Sequence, residues 1–312
     1  MFQKRKHFLA ALTAVSVWGF ISIPVKKLAP YNPFDILFYR LIIAFCIMMV
    51  VVALFRKKNL KTDINFFRNS YVQEKKRLIL LIVGSSALIT ANWYSYIFTI
   101  VNINVQVAAL SYVICPILTA IAAYFILKEH LKHRQWFAIF IASISIILLI
   151  KGSFLGIFAA FFTASTYAIY LILQKKLYQF DKFNLLMVQL LFSVILLSPI
   201  LFFEEKLPLF VNTFWLNVSI IAILFTIIPM FLTNYSLLGV DSSTIGILIY
   251  VSPILSFILA FTYFNESVTV RQCLAYAILT VAVFIFNFNR NRHVESLCTK
   301  KDENVQEIPS DH

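Results

Sequence analysis

Long apolar segments, separated by short polar ones, make up nearly the whole chain. An α-helix crosses the hydrocarbon core of a bilayer in about 20 residues, and these segments are close to that length. Their apolar positions run on without alternating, which does not fit the strands of a membrane barrel. Backbone groups in lipid must be satisfied internally, so helices are the expected structure. The pattern predicts ten transmembrane helices, with approximate limits 8–25, 34–55, 78–100, 104–127, 134–150, 154–173, 183–203, 214–238, 243–263 and 270–288.

The composition supports this all-α integral membrane prediction. The chain is 61% hydrophobic and 13% charged, against roughly 25% charged residues in an ordinary soluble domain. Its mean hydropathy is +0.84. Such a chain cannot supply the polar surface that a soluble protein of this length needs, so the lipid bilayer is its expected surroundings.

The positive charge follows the predicted topology. The net charge is +13, and most Lys and Arg residues fall in alternate polar segments, chiefly the basic segment 56–77. The positive-inside rule then predicts a cell-membrane protein with both termini in the cytoplasm. Basic proteins often bind nucleic acid, but here short clusters between the spans account for the charge, and no nucleic acid is expected as a partner.

Two polar segments lie outside the predicted spans. Segment 56–77 is expected to form a basic cytoplasmic loop that is too short to be a domain. Residues 290–312 are polar and mixed in charge, a composition typical of disorder. They are expected to form a disordered cytoplasmic tail.

An internal repeat divides the chain. Segment 109–150 aligns with 246–287 without a gap, and the first two spans of each half align as well. Each half has five spans, and this odd number turns the second half upside down relative to the first. The repeat therefore predicts two five-helix domains, 1–150 and 151–289, with a substrate site at their interface. The aligned pairs include Pro116 with Pro253, Glu129 with Glu266, Trp18 with Tyr167 and Arg40 with Gln189.

Arg40 is the most informative polar residue inside a predicted span. Placing an arginine in hydrocarbon costs at least about 2.5 kcal/mol, so such residues usually face a cavity or a partner. One interpretation is a group that binds an anion or gates a pathway. The alternative is a side chain that snorkels to the surface, because Arg40 lies only about 9 Å from the start of its span.

Two further clusters are candidates for the substrate pathway. Trp18, Gly19 and Pro24 end the first span, where an interrupted helix can expose backbone groups to a substrate; the alternative is an aromatic belt residue beside a helix end. Asn92 and Trp93 lie in a polar and aromatic stretch that suits a pocket for a small organic solute. The alternative for this stretch is a contact between helices.

The repeat pairs a tyrosine and a proline in spans 4 and 9. Tyr112 and Pro116 lie in one span, and Tyr250 and Pro253 in the other. A proline inside a helix allows a kink, so these residues are candidates for gating, with static kinks as the alternative.

The glutamates that end the same two spans are expected to be structural. Glu129 and Glu266 each follow their proline by about 20 Å of helix, which places them at opposite faces of the membrane. Each is expected to hold the turn into the next helix. His130 and His133 lie beside Glu129 without a third ligand, so neither a metal nor a cofactor is expected. No catalytic motif appears, and the chain is not expected to be an enzyme.

These features resemble a known family of transporters. The ten spans, the repeat, Trp18-Gly19 near the end of span 1, Tyr39-Arg40 in span 2 and the spacing from proline to glutamate resemble the drug/metabolite transporter superfamily, EamA family. Asn92-Trp93, then Asn102, then Ser111-Tyr112 and Pro116 are similar to its RarD-like branch. That branch often has Glu-Ala-Ser-Leu-Gly-Tyr before the proline, whereas this chain has Val-Ala-Ala-Leu-Ser-Tyr at 107–112. The glutamate is missing, so any role it has in coupling or substrate choice does not carry over.

The resemblance implies a permease for a small metabolite, often an exporter, with its pathway between the two halves. A secondary transporter that works by alternating access is therefore the leading hypothesis. The alternative is a membrane scaffold or sensor that presents segment 56–77 and the tail to a partner. The sequence also allows a homodimer formed through a terminal helix pair, but it does not identify the interface. The predicted pathway residues are Trp18, Arg40, Asn92, Trp93, Tyr112 and Tyr250.

Overall fold

The computed structural model describes residues 2–103, 105–149, 154–199, 212–263 and 269–287, and these residues fold into helices joined by short turns. Up to residue 149 the helices are α1 (Phe2–Trp18), α2 (Ser22–Lys27), α3 (Pro33–Phe55), α4 (Lys57–Asn69), α5 (Val72–Asn102), α6 (Val105–Leu127) and α7 (His133–Leu149). From residue 154 they are α8 (Phe154–Lys176), α9 (Lys182–Leu197), α10 (Asn212–Ala222), a π-helical turn (Ile223–Ile227), α11 (Ile228–Ser236), α12 (Ser242–Leu248), α13 (Val251–Thr262) and α14 (Val270–Asn287).

Within the described ranges, seven continuous or interrupted helices have the length and apolar character needed to cross a membrane. Three other apolar helices are shorter: His133–Leu149, Lys182–Leu197 and Val270–Phe286. Each of the ten predicted segments overlaps one of these elements. The chain is therefore a multi-pass, all-helical membrane protein, as its hydropathy pattern predicted. The predicted tail at 290–312 lies outside the described residues.

Side-chain caps explain where two of these helices begin. The Asn32 side chain accepts a hydrogen bond from the Phe34 amide at 3.0 Å, and Pro33 is the first residue of α3, where its missing N–H costs nothing. The Asp181 carboxylate accepts from the amides of Phe183 and Asn184 at 3.0 and 3.2 Å at the start of α9. Such caps satisfy amides that have no partner inside the helix.

Three of the long segments are interrupted. The first breaks between Trp18 and Ser22, beside the predicted Gly19, and the ninth breaks at Ile249 and Tyr250. The eighth contains the π-helical turn, which ends two residues before Pro229. The hydropathy pattern does not reveal this turn, because an added residue within a helical turn leaves the apolar character unchanged.

Segment 56–77 is more ordered than the predicted loop. It contains the whole of α4 and the start of α5, which reaches several residues beyond the predicted span. None of the α4 residues is fully buried. Its apolar positions Leu60, Ile64 and Phe67 line a groove against α5 and α9, so it lies along the protein as an amphipathic helix.

The core is built around α8, which packs against both α5 and α6, while α12 packs against α6 and α1 against α11. Glycines allow two of the close approaches. A Cβ atom at Gly19 would lie 2.7 Å from the Cβ of Leu255, and one at Gly246 would lie 2.8 Å from the Cβ of Thr119. These approaches bring α1, α6, α12 and α13 together around the residues described next.

Candidate functional site

Arg40 is buried in the protein instead of reaching the membrane surface. Its side chain is 2% exposed, and its guanidinium carbon lies 4.7 Å from the centre of the Trp93 ring. It also interacts electrostatically with Tyr112. The Arg40 Nε finds no hydrogen-bond partner among the described residues. A cation held over an aromatic face with a spare donor is arranged to receive an anion.

A chain of aromatic rings leads away from this arginine. The ring centres of Tyr96 and Tyr112 are 5.0 Å apart, those of Tyr112 and Tyr167 are 6.4 Å apart, and those of Tyr167 and Tyr170 are 5.8 Å apart. Trp18 meets Tyr167 edge to face at 5.9 Å. This row of aromatic rings connects α5, α6, α8 and α1, so it crosses the middle of the helix bundle.

Several buried polar atoms near these rings have no hydrogen-bond partner among the described residues. Leaving such an atom unsatisfied costs about 1–3 kcal/mol, and native interiors contain few of them. Several such atoms near one another mark a candidate site for a polar ligand. Among the described residues, those in this region are Arg40 Nε, Asn92 Oδ1, Ser111 Oγ, the hydroxyl of Tyr250 and Asn234 Nδ2.

Trp18 ties the first helix to the π-helical turn. Its Nε1 donates to the Phe225 carbonyl at 3.0 Å, a carbonyl within the turn. At the adjoining break, the Gly19 carbonyl accepts a hydrogen bond from Ser256 Oγ at 3.0 Å. This backbone group therefore holds α13, while Trp18 keeps its ring edge against Tyr167. Pro24 is buried in the first turn of α2, a position where proline is well tolerated.

Asn92 contributes to the contact between two helices. Its Nδ2 donates to the Thr163 carbonyl at 2.7 Å, and Ser95 Oγ lies 2.7 Å from Thr163 Oγ1. Both bonds join α5 to α8, which is the interhelical role that the sequence left open. The Oδ1 of Asn92 has no hydrogen-bond partner among the described residues.

The two prolines of the repeat lie close in sequence to residues of the candidate site. Pro116 lies inside α6, directly after Cys115, and Cys115 is within electrostatic range of Tyr112 and Tyr250. Tyr250 is fully buried at the break between α12 and α13, and Pro253 follows in the first turn of α13. The interrupted ninth segment therefore presents Tyr250 toward α6.

The Glu129 side chain caps a helix that the sequence did not indicate. Lys128 takes a left-handed φ of 55°, which ends α6, and the Glu129 amide donates to the Ala123 carbonyl of that helix at 3.2 Å. The carboxylate accepts hydrogen bonds from the amides of Ser242 and Ser243 at 3.0 and 3.2 Å, and from Ser243 Oγ at 2.8 Å. The carboxylate oxygens therefore cap α12, and the expectation that Glu129 holds the turn into α7 stays a prediction. Glu266 lies outside the described residues.

Further hydrogen bonds lie at the end of the helix bundle where Glu129 caps α12. Lys175 Nζ donates to the carbonyls of Leu237 and Val240 at 2.7 and 2.9 Å, at the end of α11. His7 Nδ1 lies 3.0 Å from the Tyr235 carbonyl. Charge patterning predicts that this end faces the cytoplasm. The structure therefore ties several helices together between the buried site and that face.

The sequence missed part of the site. Tyr170 donates to Asn234 Oδ1 at 3.3 Å, and neither residue was singled out. Tyr167 also was not singled out, although it aligns with Trp18 in the repeat, and that alignment was a usable signal. Asn234 and Thr233 carry no comparable signal, because they stand among many polar residues near the ends of apolar segments.

A buried cation, aromatic rings and hydroxyls without a partner among the described residues lie together within this all-helical membrane bundle, and they form its candidate ligand site. The profile of the EamA-like transporter family matches residues 5–151 and 154–288, and the chain belongs to this family. Membership of this family points to a membrane transporter of the drug/metabolite type rather than to an enzyme.

Relatives extend over most of the chain. It is 27% identical over 289 residues to an uncharacterized transporter of Vibrio cholerae, covering 91% of this chain and 92% of that one. It is 26% identical over 289 residues to protein RarD of Escherichia coli, covering 91% and 94%. These matches place it in the RarD-like branch. A solved crystal structure with 15% identity superposes with a TM-score of 0.72, covering 92% of this chain and 98% of that one, which shows a shared fold.

Proposed function

We propose that this protein is a secondary transporter, working as an exporter, that carries a small metabolite with an anionic group across the cell membrane. Residues 1–150 and 151–289 form two inverted repeats of five transmembrane helices, and both termini face the cytoplasm. Access to the site between the repeats alternates between the two faces of the membrane.

The arrangement of Trp18 and Tyr167 supports two inverted repeats. These residues occupy aligned positions in the two halves, and their rings are in edge-to-face contact at 5.9 Å. Equivalent residues touch each other where a twofold axis passes between them. The candidate site surrounds this contact, as expected for a site between repeats.

The environment of Arg40 carries the proposal. A buried guanidinium stacked on Trp93, with its Nε unpartnered among the described residues, is the natural receptor for a carboxylate or phosphate. The tyrosine hydroxyls and Asn92 Oδ1 can bind the polar groups on the rest of a small solute. The aromatic faces suit its apolar part, so the substrate is both amphipathic and anionic.

Alternating access also needs contacts that break. The cap that Glu129 places on α12 joins a helix of the first repeat to one of the second. In this proposal the cap is intact when the cytoplasmic face is closed and opens when the site faces the cytoplasm.

The test compares cells that express the wild type, Arg40→Ala or Arg40→Lys at equal membrane levels, with an empty vector as reference. Metabolites in the medium are profiled. One anionic solute class should rise with the wild type and return to the reference level with Arg40→Ala. Arg40→Lys should recover only part of the export, because an ammonium ion cannot reproduce the planar, bidentate geometry of a guanidinium.

Arg134→Ala is the matched control, since Arg134 is exposed in the first turn of α7; it should export as the wild type does. If no solute differs between the wild type and the empty vector, export is refuted and the scaffold or sensor hypothesis gains. If a solute rises equally with all variants, transport stands but the assigned role of Arg40 is wrong.

A further inference from the structure

The amphipathic helix α4 covers an apolar groove away from the buried site. The groove has a volume of about 280 Å³, and Leu60, Ile64 and Phe67 line it from α4. Val83 on α5 and Val188 and Phe192 on α9 line it from the other sides. Ile64 and Val83 are 54% and 40% exposed, so the groove is open along its length and not a closed cavity.

Polar contacts fix α4 in place and thereby keep the groove formed. Arg56 pairs with Asp181 at 2.6 Å, and Asn59 Nδ2 donates to the same carboxylate at 3.0 Å. Asp63 accepts from the Asp181 amide at 3.1 Å and from Asn184 Nδ2 at 2.6 Å. The carboxylate of Asp63, the one acidic residue of α4, is thus engaged on the side that faces α9.

Basic residues follow the opposite edge of the groove. At 100° per residue, Lys57, Lys61 and Arg68 fall on one strip of α4, immediately beside the strip formed by Leu60, Ile64 and Phe67. All three basic side chains are exposed. The helix therefore presents an apolar strip and a cationic strip side by side, with its structural contacts on the far side.

We propose that this groove binds one anionic phospholipid, with an acyl chain in the groove and the headgroup on Lys57, Lys61 and Arg68. The groove runs along α9 from Asn184 to Phe192, about 12 Å of helix, and its apolar lining excludes a polar ligand. Basic amphipathic helices at the membrane surface attract anionic lipid headgroups. The site is separate from the transport pathway, so it does not depend on the proposed function.

Native mass spectrometry of the purified full-length protein tests the proposal. The protein is titrated with phosphatidylglycerol or with phosphatidylcholine of the same chain length. One phosphatidylglycerol should bind at least about five-fold more tightly than phosphatidylcholine, given the added attraction of three cationic side chains. Equal affinity for the two lipids would overturn the proposal.

Two pairs of variants separate a defined site from general attraction to a basic protein. Val83→Trp fills the groove and should abolish the tight binding, whereas Val281→Trp, at a side chain 51% exposed elsewhere, should retain it. The triple variant Lys57→Gln, Lys61→Gln, Arg68→Gln should bind both lipids equally. The control triple Lys58→Gln, Lys76→Gln, Arg77→Gln removes the same charge from the same segment and should keep the preference.

Size-exclusion profiles and far-UV circular dichroism of each variant check that it is folded. Equal losses in the two triple variants would show attraction by net charge and refute a site on α4. Retained binding in Val83→Trp would place the lipid elsewhere and refute the groove. Because no transport is measured, either result leaves the proposed function untouched.

Discussion

The carboxylate of Glu129 accepts three hydrogen bonds from Ser242 and Ser243, one of them from the Ser243 hydroxyl at 2.8 Å. These residues are far apart in the chain and end or begin helices that hold the buried site. An acidic side chain at the start of a helix satisfies free amides and opposes the positive end of the helix dipole. This contact therefore stabilises the arrangement in which α6 and α12 lie close together.

The first prediction concerns the closing role of this cap. Glu129→Gln keeps the size of the side chain but loses its charge, and should weaken the closed arrangement by about 1 kcal/mol, or about five-fold. Cys115 is fully buried beside the site and reports on opening. In a background of Cys46→Ala, Cys273→Ala and Cys298→Ala, Cys115 should react about five-fold faster with N-ethylmaleimide when Glu129→Gln is added.

Glu74→Gln is the control for this measurement, because it removes a half-buried carboxylate at the start of α5, away from α12. It should leave the labelling rate of Cys115 unchanged. An unchanged rate with Glu129→Gln as well would show that the cap does not limit access.

The second prediction concerns the ring beneath Arg40. A cation over an aromatic face in a desolvated site gains about 2 kcal/mol. Trp93→Ala should therefore weaken the apparent affinity for the exported solute by about ten-fold or more, whereas Trp93→Phe keeps a ring face and should lose less. The measurement is the concentration dependence of export. Trp136→Ala, at an exposed tryptophan of α7, should match the wild type; a loss of the same size there would contradict the prediction.

The third prediction concerns the close approach of α12 to α6. Gly246→Ala would place a Cβ 2.8 Å from the Cβ of Thr119, and overpacking of this kind costs typically about 1–3 kcal/mol. The apparent melting temperature in detergent should fall by several degrees. Gly84→Ala is the matched control, since its Cβ would meet only Leu173 Cδ1 at 3.8 Å. That variant should be as stable as the wild type or more so, because alanine favours a helix.

The fourth prediction concerns the pH dependence of the contacts that hold α4. Burial alone raises the pKa of the Asp181 carboxyl, but hydrogen bonds from Asn59 and the Asn184 amide, with the charge of Arg56, outweigh it and leave the pKa below its ordinary value. A lowered pKa means that the stabilisation is fully present above the ordinary aspartate pKa and is lost as the pH falls through the lowered one.

Hydrogen exchange of the α4 amides, corrected for the intrinsic rate at each pH, measures this effect. Protection should persist through the mildly acidic range and fall only below the ordinary aspartate pKa. Asp181→Asn should show reduced protection already at neutral pH, since it lacks the charge. Protection in Asp181→Asn equal to that of the wild type at neutral pH would contradict the prediction.

Much of the fold could be predicted because each helix is encoded by its own segment. A long apolar run needs no distant partner to cross a bilayer, and the break near Gly19 follows from residues that weaken a helix locally. Arg40 was recognisable for a similar reason, since a charge within an apolar segment is conspicuous wherever the helix later packs. The amphipathic pattern of α4 was also present in the sequence, but segment 56–77 was predicted to be a loop, so the pattern was not used.

The sequence by itself determined the membrane class, the helical segments, the repeat and the residues most costly to bury, since these depend on local composition and on transfer from water to lipid. Only the tertiary structure decided that Arg40 lies over Trp93, that Glu129 caps α12 and that the eighth segment contains a π-helical turn. The first two of these relationships join residues far apart in the chain. They depend on which helix faces meet, and a hydropathy pattern does not encode the rotation of one apolar helix against another.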